Sequence, residues 1–478
     1  MAAKPSISST YSCEACGHIE PKWSGRCGAC GDWNTLVEAG PVVDDGPIPH
    51  RPGTVQSIGS VSDAAEEILA SGMDELDRTL GGGLTGASVT LIGGEPGVGK
   101  STLLLQVAGG AARSGRRVLY VSAEESAAQI RRRANRLGAV VAGLDVLAET
   151  RLDAVLGRMA ECRPELMVVD SVHTLFDPSV SGVPGSVTQV REAANRLVAA
   201  ARRTGAAVVL VGHVTKDGGL AGPRVLEHTV DTVMHFEGDR DGALRLLRVV
   251  KHRFGATDRV GLFRMGRHGL EPLDDPSGLL LADRKAGVPG SAVVAVLEGR
   301  RPLLVEVQAL VSARPGGGGN GSRTVTGLSP KRIDLILAVL AQRAGLNLAS
   351  ADVFVSVAGG LTVREPAVDL AVATALTSAA TQRSVPPDVM VVGEVGLTGE
   401  LRAVPEPTRR IAEAARLGFG RIVAPYGSGD PDSPCALSAE PAGPGRQAGA
   451  DDGTVHTVGT LGEALAAVAL TESNLRAV

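Results

Sequence analysis

The chain has 478 residues, 44% of them hydrophobic and 21% charged, with a formal net charge of -4. At roughly 150 residues per domain this length predicts two to four domains, and the apolar content excludes an intrinsically disordered chain. The near-neutral balance excludes a uniformly basic nucleic-acid protein, and aromatics at 2% keep any base-stacking surface local.

The N-terminus, MAAKPSISSTYSCEACG, lacks the apolar core of a secretory signal, and no run approaches the roughly 18 apolar residues that span a bilayer. A cytoplasmic protein without a membrane partner is expected. Residues 1–38 hold Cys13-x2-Cys16 and Cys27-x2-Cys30, two knuckles that together supply a tetrahedron of thiolates for zinc. With all four positions filled by protein none stays open for catalysis, so the metal is expected to fold a small module. Trp23 and Trp33 lie in or beside it. The economical expectation is that they form its miniature core; the alternative is an outward surface for DNA or a partner. Cys162 and Cys435 stand alone and read as core thiols, and a Pro/Gly/Asp-rich linker covers 39–57.

From 58 to 270, short β-branched runs alternate with helical stretches, the pattern of a parallel sheet covered by helices in an α/β domain. ASVTLIGGEPGVGKSTLLLQVA places a strand, a glycine loop and an apolar-faced helix in series. Gly94, Glu95, Pro96, Gly97, Val98, Gly99, Lys100, Ser101 and Thr102 match the phosphate-binding loop of ATP-binding proteins, with Lys100 reaching the β and γ oxygens and Ser101 a magnesium ion. Later strands end in Glu124 and Glu125, in Asp170, and in His213 with Lys216. Asp170 is the natural second holder of magnesium. Glu124, nearer its strand, is the better activator of water, Glu125 a helix-start acid, and His213 a candidate γ-phosphate sensor.

GEPGVGKST, YVSAEES, VVDSVHTL, GHVTKDGGLAGPRVLEH and KHRFG, in this order behind a four-Cys knuckle, closely resemble the bacterial RadA (Sms) family of DNA-repair proteins, over nearly the whole chain. The resemblance implies a RecA-like P-loop ATPase core, a C-terminal α/β domain like that of Lon protease, and ATP-driven helicase or branch-migration activity on recombination intermediates. It also implies a closed ring, a homo-hexamer, acting on single-stranded and branched DNA, with a recombinase filament on DNA as a further partner. A nucleotide-switched scaffold that moves nothing, and a strand-exchange recombinase forming open filaments, are the rival readings.

Two glycine-rich stretches qualify as DNA loops. FDPSVSGVPGSVTQVREAANR leads into a helix with Arg191 and Arg196, and TKDGGLAGPRVLEH carries Lys216 and Arg224. Only Phe176 at the edge is aromatic, which favours phosphate contacts over stacking. KHRFG interrupts an apolar strand, LRLLRVV, at the end of the same domain. Lys251 and Arg253 are expected to act across a ring interface on a neighbour's γ-phosphate, with Phe254 and Gly255 shaping the turn. The family's usual form is KNRFG, so His252 is a departure that puts the hydrogen bonds of the Asn in doubt.

A connector over 271–287 leads to a third region, 288–470, which opens with two strand-like runs in hairpin spacing. Arg314, Arg323, Lys331 and Arg332 cluster around its RPGGGGNGS tract and the next helix, and suit contacts to DNA phosphates without base reading. By resemblance, Ala367 takes the place of the peptidase serine and Thr408 that of its lysine. A chain lacking both nucleophile and amine base is not expected to cleave amide bonds.

Overall fold

The computed structural model describes residues 10–13, 19–20, 22–39, 57–58, 67–213, 225–238, 244–313, 321–428 and 454–470. Two compact units divide at Leu273/Asp274. Among the described residues, no helix is long and apolar enough to cross a membrane.

The first unit begins with an antiparallel ribbon of β1 (Thr10–Cys13), β2 (Ile19–Glu20) and β3 (Leu36–Ala39), ordered β2-β1-β3. A short hairpin-like pair, β4 (Ile68–Leu69) and β5 (Leu84–Thr85), encloses α1 (Asp74–Leu80). The main sheet then follows in alternation with helices: β6 (Val89–Gly94), α2 (Lys100–Arg113), β7 (Val118–Ser122), α3 (Ala127–Arg136), β8 (Leu144–Ala148) and α4 (Leu152–Cys162). It continues with β9 (Leu166–Asp170), α5 (Val187–Thr204), β10 (Ala207–His213), α6 (Val225–Thr229) and β11 (Thr232–Glu237). Three antiparallel strands, β12 (Leu244–His252), β13 (Val260–Gly266) and β14 (Gly269–Pro272), complete it.

The strand order is β14-β13-β12-β11-β6-β10-β9-β7-β8, with β6 through β11 parallel. Every residue of β6, β7 and β9 is buried, which is why these strands read as unbroken apolar runs rather than alternating ones. One core packs α2 against Ile92, Tyr120 and Val209; the other packs α4 and α5 against Leu91, Val169 and Val208. Both faces are thus closed, and the carboxyl ends of β6, β9 and β7 are left as the place for a ligand. β12 does not stop at the first basic residue: it runs on through Lys251 and His252, paired antiparallel to β11 with an irregularity at Val233/Met234.

The second unit starts with α7 (Pro276–Leu281), inside the stretch that reads as a connector. The hairpin of β15 (Ser291–Glu298) and β16 (Arg301–Ser312) follows, closed at Glu298↔Arg301. Next come β17 (Arg323–Thr326), α8 (Pro330–Arg343), β18 (Asp352–Val357) and α9 (Asp369–Thr381). The remaining elements are β19 (Val389–Val391), β20 (Glu394–Val395), β21 (Leu401–Arg402), α10 (Pro407–Arg416), β22 (Arg421–Pro425), β23 (Thr454–Val458) and α11 (Leu461–Ala467). Seven of the strands form one sheet, β17-β18-β16-β15-β19-β22-β23, and α9 is buried from Asp369 to Ala379. A helix of small and mostly apolar residues on every side, as α9 is, belongs in the interior.

Candidate functional site

β6 delivers the glycine loop at the carboxyl edge of the first sheet. Gly94 admits no side chain, because a Cβ there would stand 2.4 Å from the Phe236 carbonyl oxygen on the neighbouring strand. Gly99 sits at φ 114°, left-handed backbone that lets the loop turn directly into α2. Between them Glu95, Pro96 and Gly97 form the exposed crest, while Val98 is buried and its carbonyl accepts from Arg245 Nε at 3.0 Å. Lys100 is only 5% exposed, and its ammonium donates to the carbonyls of Gly94 (2.6 Å) and Glu95 (2.9 Å). Burial pushes its pKa down, against the fields of Asp170, Glu124 and Glu95. Ser101 and Thr102 lie half-buried in the first turn of α2.

Two carboxylates meet this edge from β9 and β7. Asp170 ends β9, in register with Ser122, and accepts a 2.8 Å hydrogen bond from the buried Tyr120 hydroxyl. Burial and the adjoining Asp170 charge hold that phenol well above its ordinary pKa, so it remains a donor. Glu124 Oε1 accepts from Ser171 Oγ at 2.5 Å, and Ala123 N–H donates to the Asp170 carbonyl. The two acids are thereby tied to one corner. Glu125 is instead taken by Arg133 of α3, at 2.5 Å. His213 ends β10 in register beside Gly94.

Lys251 and Arg253 lie elsewhere. β11 meets Gly94 at Phe236, whereas Lys251 and His252 pair with Val233 and Thr232 at the other end of that strand. Three to four residues of strand put them about 10–13 Å further along, at the amino ends of the parallel strands. The Lys251 ammonium donates to the Glu227 (2.6 Å) and Val230 (2.7 Å) carbonyls, at the end of α6, and burial lowers its pKa. Arg253 pairs with Asp231 at 2.9 Å; the other oxygen of that carboxylate accepts from Val89 N–H, where β6 begins. His252 bridges Thr232 Oγ1 (2.9 Å) and the Leu80 carbonyl (3.0 Å), its ring edge-on to Phe254. Gly255 is needed there, since a Cβ would come within 2.8 Å of the imidazole. Asp231, Tyr120 and Ser171 escaped sequence reasoning. Tyr120 and Ser171 lie within YVSAEES and VVDSVHTL, and Asp231 in no motif, but the role of each comes from a partner distant in the chain.

In the ribbon, the sulfurs of Cys13, Cys27 and Cys30 lie within 4.8 Å of one another, and Cys13 and Cys30 are 3.6 Å apart. Tetrahedral zinc–sulfur bonds of about 2.3 Å require sulfurs about 3.8 Å apart, so these three thiols fit the metal. Cys16, the fourth expected ligand, lies outside the described residues. The two tryptophans do not form a core: Trp23 is 58% and Trp33 69% exposed. Cys13, Cys27 and Leu36 fill the interior, and a ribbon this short cannot enclose an indole as well. Trp23 Nε1 donates to the Leu36 carbonyl, and Arg26 lies over the Trp33 ring. Cys162 is exposed rather than a core thiol, and Cys435 lies outside the described residues.

Lys216, Arg224 and Arg314 also lie outside the described residues. Arg191 and Arg196 share α5, but Arg196 is ion-paired with the buried Asp177. Two expected phosphate contacts need revision, because their guanidiniums already bind the fold. Arg323 donates to the Ala351 (2.8 Å) and Leu348 (3.2 Å) carbonyls, and Arg332 forms a bidentate pair with the fully buried Asp369. Lys331 is exposed and makes no ion pair among the described residues.

Comparison with known proteins gives three family matches. The AAA domain covers residues 60–219, the rubredoxin metal binding domain residues 11–38, and subunit ChlI of Mg-chelatase residues 328–428. The DNA repair protein RadA of Brucella abortus (strain 2308) is 44% identical over 432 residues, which is 88% of this chain and 92% of that protein. RadA of Mycolicibacterium smegmatis is 46% identical, again covering 88% of this chain and 92% of the relative. For RadA of Bacillus subtilis (strain 168) the identity is 44%, over 87% of this chain and 92% of the relative. The RecA-like ATPase sheet, the N-terminal zinc ribbon and the ChlI/Lon-like C-terminal domain agree with this match. With so much of both chains aligned, the chain belongs to the RadA family of DNA repair proteins.

Proposed function

We propose that the protein hydrolyses ATP to move on DNA, as a helicase or branch-migration motor on recombination intermediates with single-stranded tracts. The observation that carries this reading is the convergence of Lys100, Glu124 and Asp170 at one edge of the sheet, with Lys251 and Arg253 at the other. Lys100 would exchange the Gly94 and Glu95 carbonyls for the β and γ oxygens of ATP, whose charge compensates an ammonium that burial has desolvated. Ser101 and Asp170 would hold magnesium, which neutralises charge on the transferred phosphoryl group. Glu124 would orient and deprotonate the attacking water, and His213 would follow the γ-phosphate. Lys251 and Arg253 are remote from their own loop, so they would serve the next subunit of a homo-hexameric ring. Lys216, Arg224, Arg314 and Lys331 would hold DNA by its phosphates, without base reading. Ala367 and Thr408 offer neither nucleophile nor amine base, so the second unit would serve assembly or DNA contact rather than peptide cleavage.

The test is ATP turnover with and without single-stranded DNA, followed by strand displacement, for wild type and Lys100→Ala. DNA-stimulated turnover and displaced strand, both lost in the variant, are expected. Turnover indifferent to DNA, with no strand moved, would sink the motor and favour a nucleotide-switched scaffold.

A further inference from the structure

The open half of the second sheet carries a groove of about 490 Å³ that the nucleotide chemistry does not use. Side chains alternate along β16, so Glu306, Gln308 and Leu310 share one face. Across the sheet Leu310 stands opposite Phe354 of β18, which neighbours Thr324 of β17. The segment that carries Asp283, Lys285 and Val288 walls the other side. Leu310 is 60% and Phe354 40% exposed.

At the base of this groove sits a carboxylate. Glu306 is 4% exposed and is held by two neutral donors, the Ser291 hydroxyl and Gln308 Nε2 at 2.9 Å. Among the described residues it has no ion-pair partner. Arg284, whose charge reaches Glu306 through space, donates to the Pro387 carbonyl and lies over the Phe419 ring. A carboxylate withdrawn from water without an ion-pair partner is unfavourable, and hydrogen bonds from neutral groups offset only part of that. Lys285 at the rim is matched by Asp283, so the groove keeps a net negative charge.

We propose that this groove receives an arginine side chain presented by a protein partner. A guanidinium can fork onto the Glu306 carboxylate while lying against the Phe354 ring, and its aliphatic stem fits the Leu310 and Val288 surfaces. A free polyamine would leave those apolar walls unmatched. β17 is the outermost strand of its sheet among the described residues, so an extended partner segment has a backbone edge alongside the groove to follow. The inference is independent of ATP hydrolysis.

Saturation-transfer NMR on the full chain tests it with the blocked tripeptide acetyl-Leu-Arg-Leu-amide, its citrulline counterpart, and putrescine. The arginine peptide should bind, about tenfold more tightly than the citrulline one, as loss of a single charge-assisted pair requires. Glu306→Gln, which retains the side-chain shape, and Phe354→Ala, at the surface, should each weaken it about tenfold, and Lys285→Ala should strengthen it. Phe354→Ala keeps the test decisive if Glu306→Gln fails to fold. Equal binding of the citrulline peptide, unchanged binding in both variants, or full competition by equimolar putrescine would each overturn a protein-borne arginine as the occupant.

Discussion

Single side chains decide how the basic turn is held. Lys251, His252 and Arg253 are consecutive, yet each is fastened to a different element: Lys251 to the end of α6, His252 to α1 and β11, Arg253 to Asp231. A carbonyl can only accept, so His252 Nε2 donates to Leu80, and the neutral tautomer that carries this proton would accept from Thr232 through Nδ1. An Asn amide offers the same donor and acceptor pair, so the departure from KNRFG retains the polarity of the link. If Arg253 serves a neighbour's nucleotide, mixtures of Arg253→Ala and Lys100→Ala chains will regain part of the turnover that each lacks alone. Mixed rings verified by co-purification but without turnover would confine Arg253 to a structural role with Asp231.

At the scale of elements, the start of α10 is locked to the turn before α9 by one buried ion pair. Arg410, fully buried, forks onto Glu365 at 2.8 and 2.6 Å and also donates to the Ala295 and Pro405 carbonyls. Arg410→Ala would leave Glu365 without its cation. Denaturant unfolding of the variant should show a loss of about 3–5 kcal/mol in the transition of the second unit, and a loss under about 1 kcal/mol would mean that the pair contributes little. Elements of this kind were unequally legible in the sequence. The phosphate loop was readable because its glycines answer to local backbone demands, and the β15–β16 hairpin because its apolar runs and short turn are contiguous. Arg332 and Arg323 read as cations free to contact DNA phosphates because their acceptors lie 37 and 28 residues away and leave no spacing signal. The tryptophans misled for the opposite reason: an apolar residue in a small module suggests a core, but the thiols occupy that volume.

Across the whole molecule, the ribbon buries little beyond Cys13, Cys27 and Leu36, whereas the ATPase sheet and the second unit bury large apolar cores of their own. Chelation of zinc should therefore loosen the ribbon alone. Its two tryptophans are the only ones in the chain, so their fluorescence anisotropy should fall on chelation while the far-UV melting of the remainder holds; unchanged anisotropy would show a ribbon that folds without metal. A different economy governs the Lys251 ammonium, which satisfies the last carbonyls of α6. If Lys251 serves an adjoining subunit's phosphate, as proposed, its one charge cannot fully satisfy those carbonyls and that phosphate together. The end of the helix and the subunit contact are then competing tenants of a single cation. In that case whatever steadies the helix end would weaken the contact, and by thermodynamic reciprocity a bound neighbour would fray the helix to the same extent.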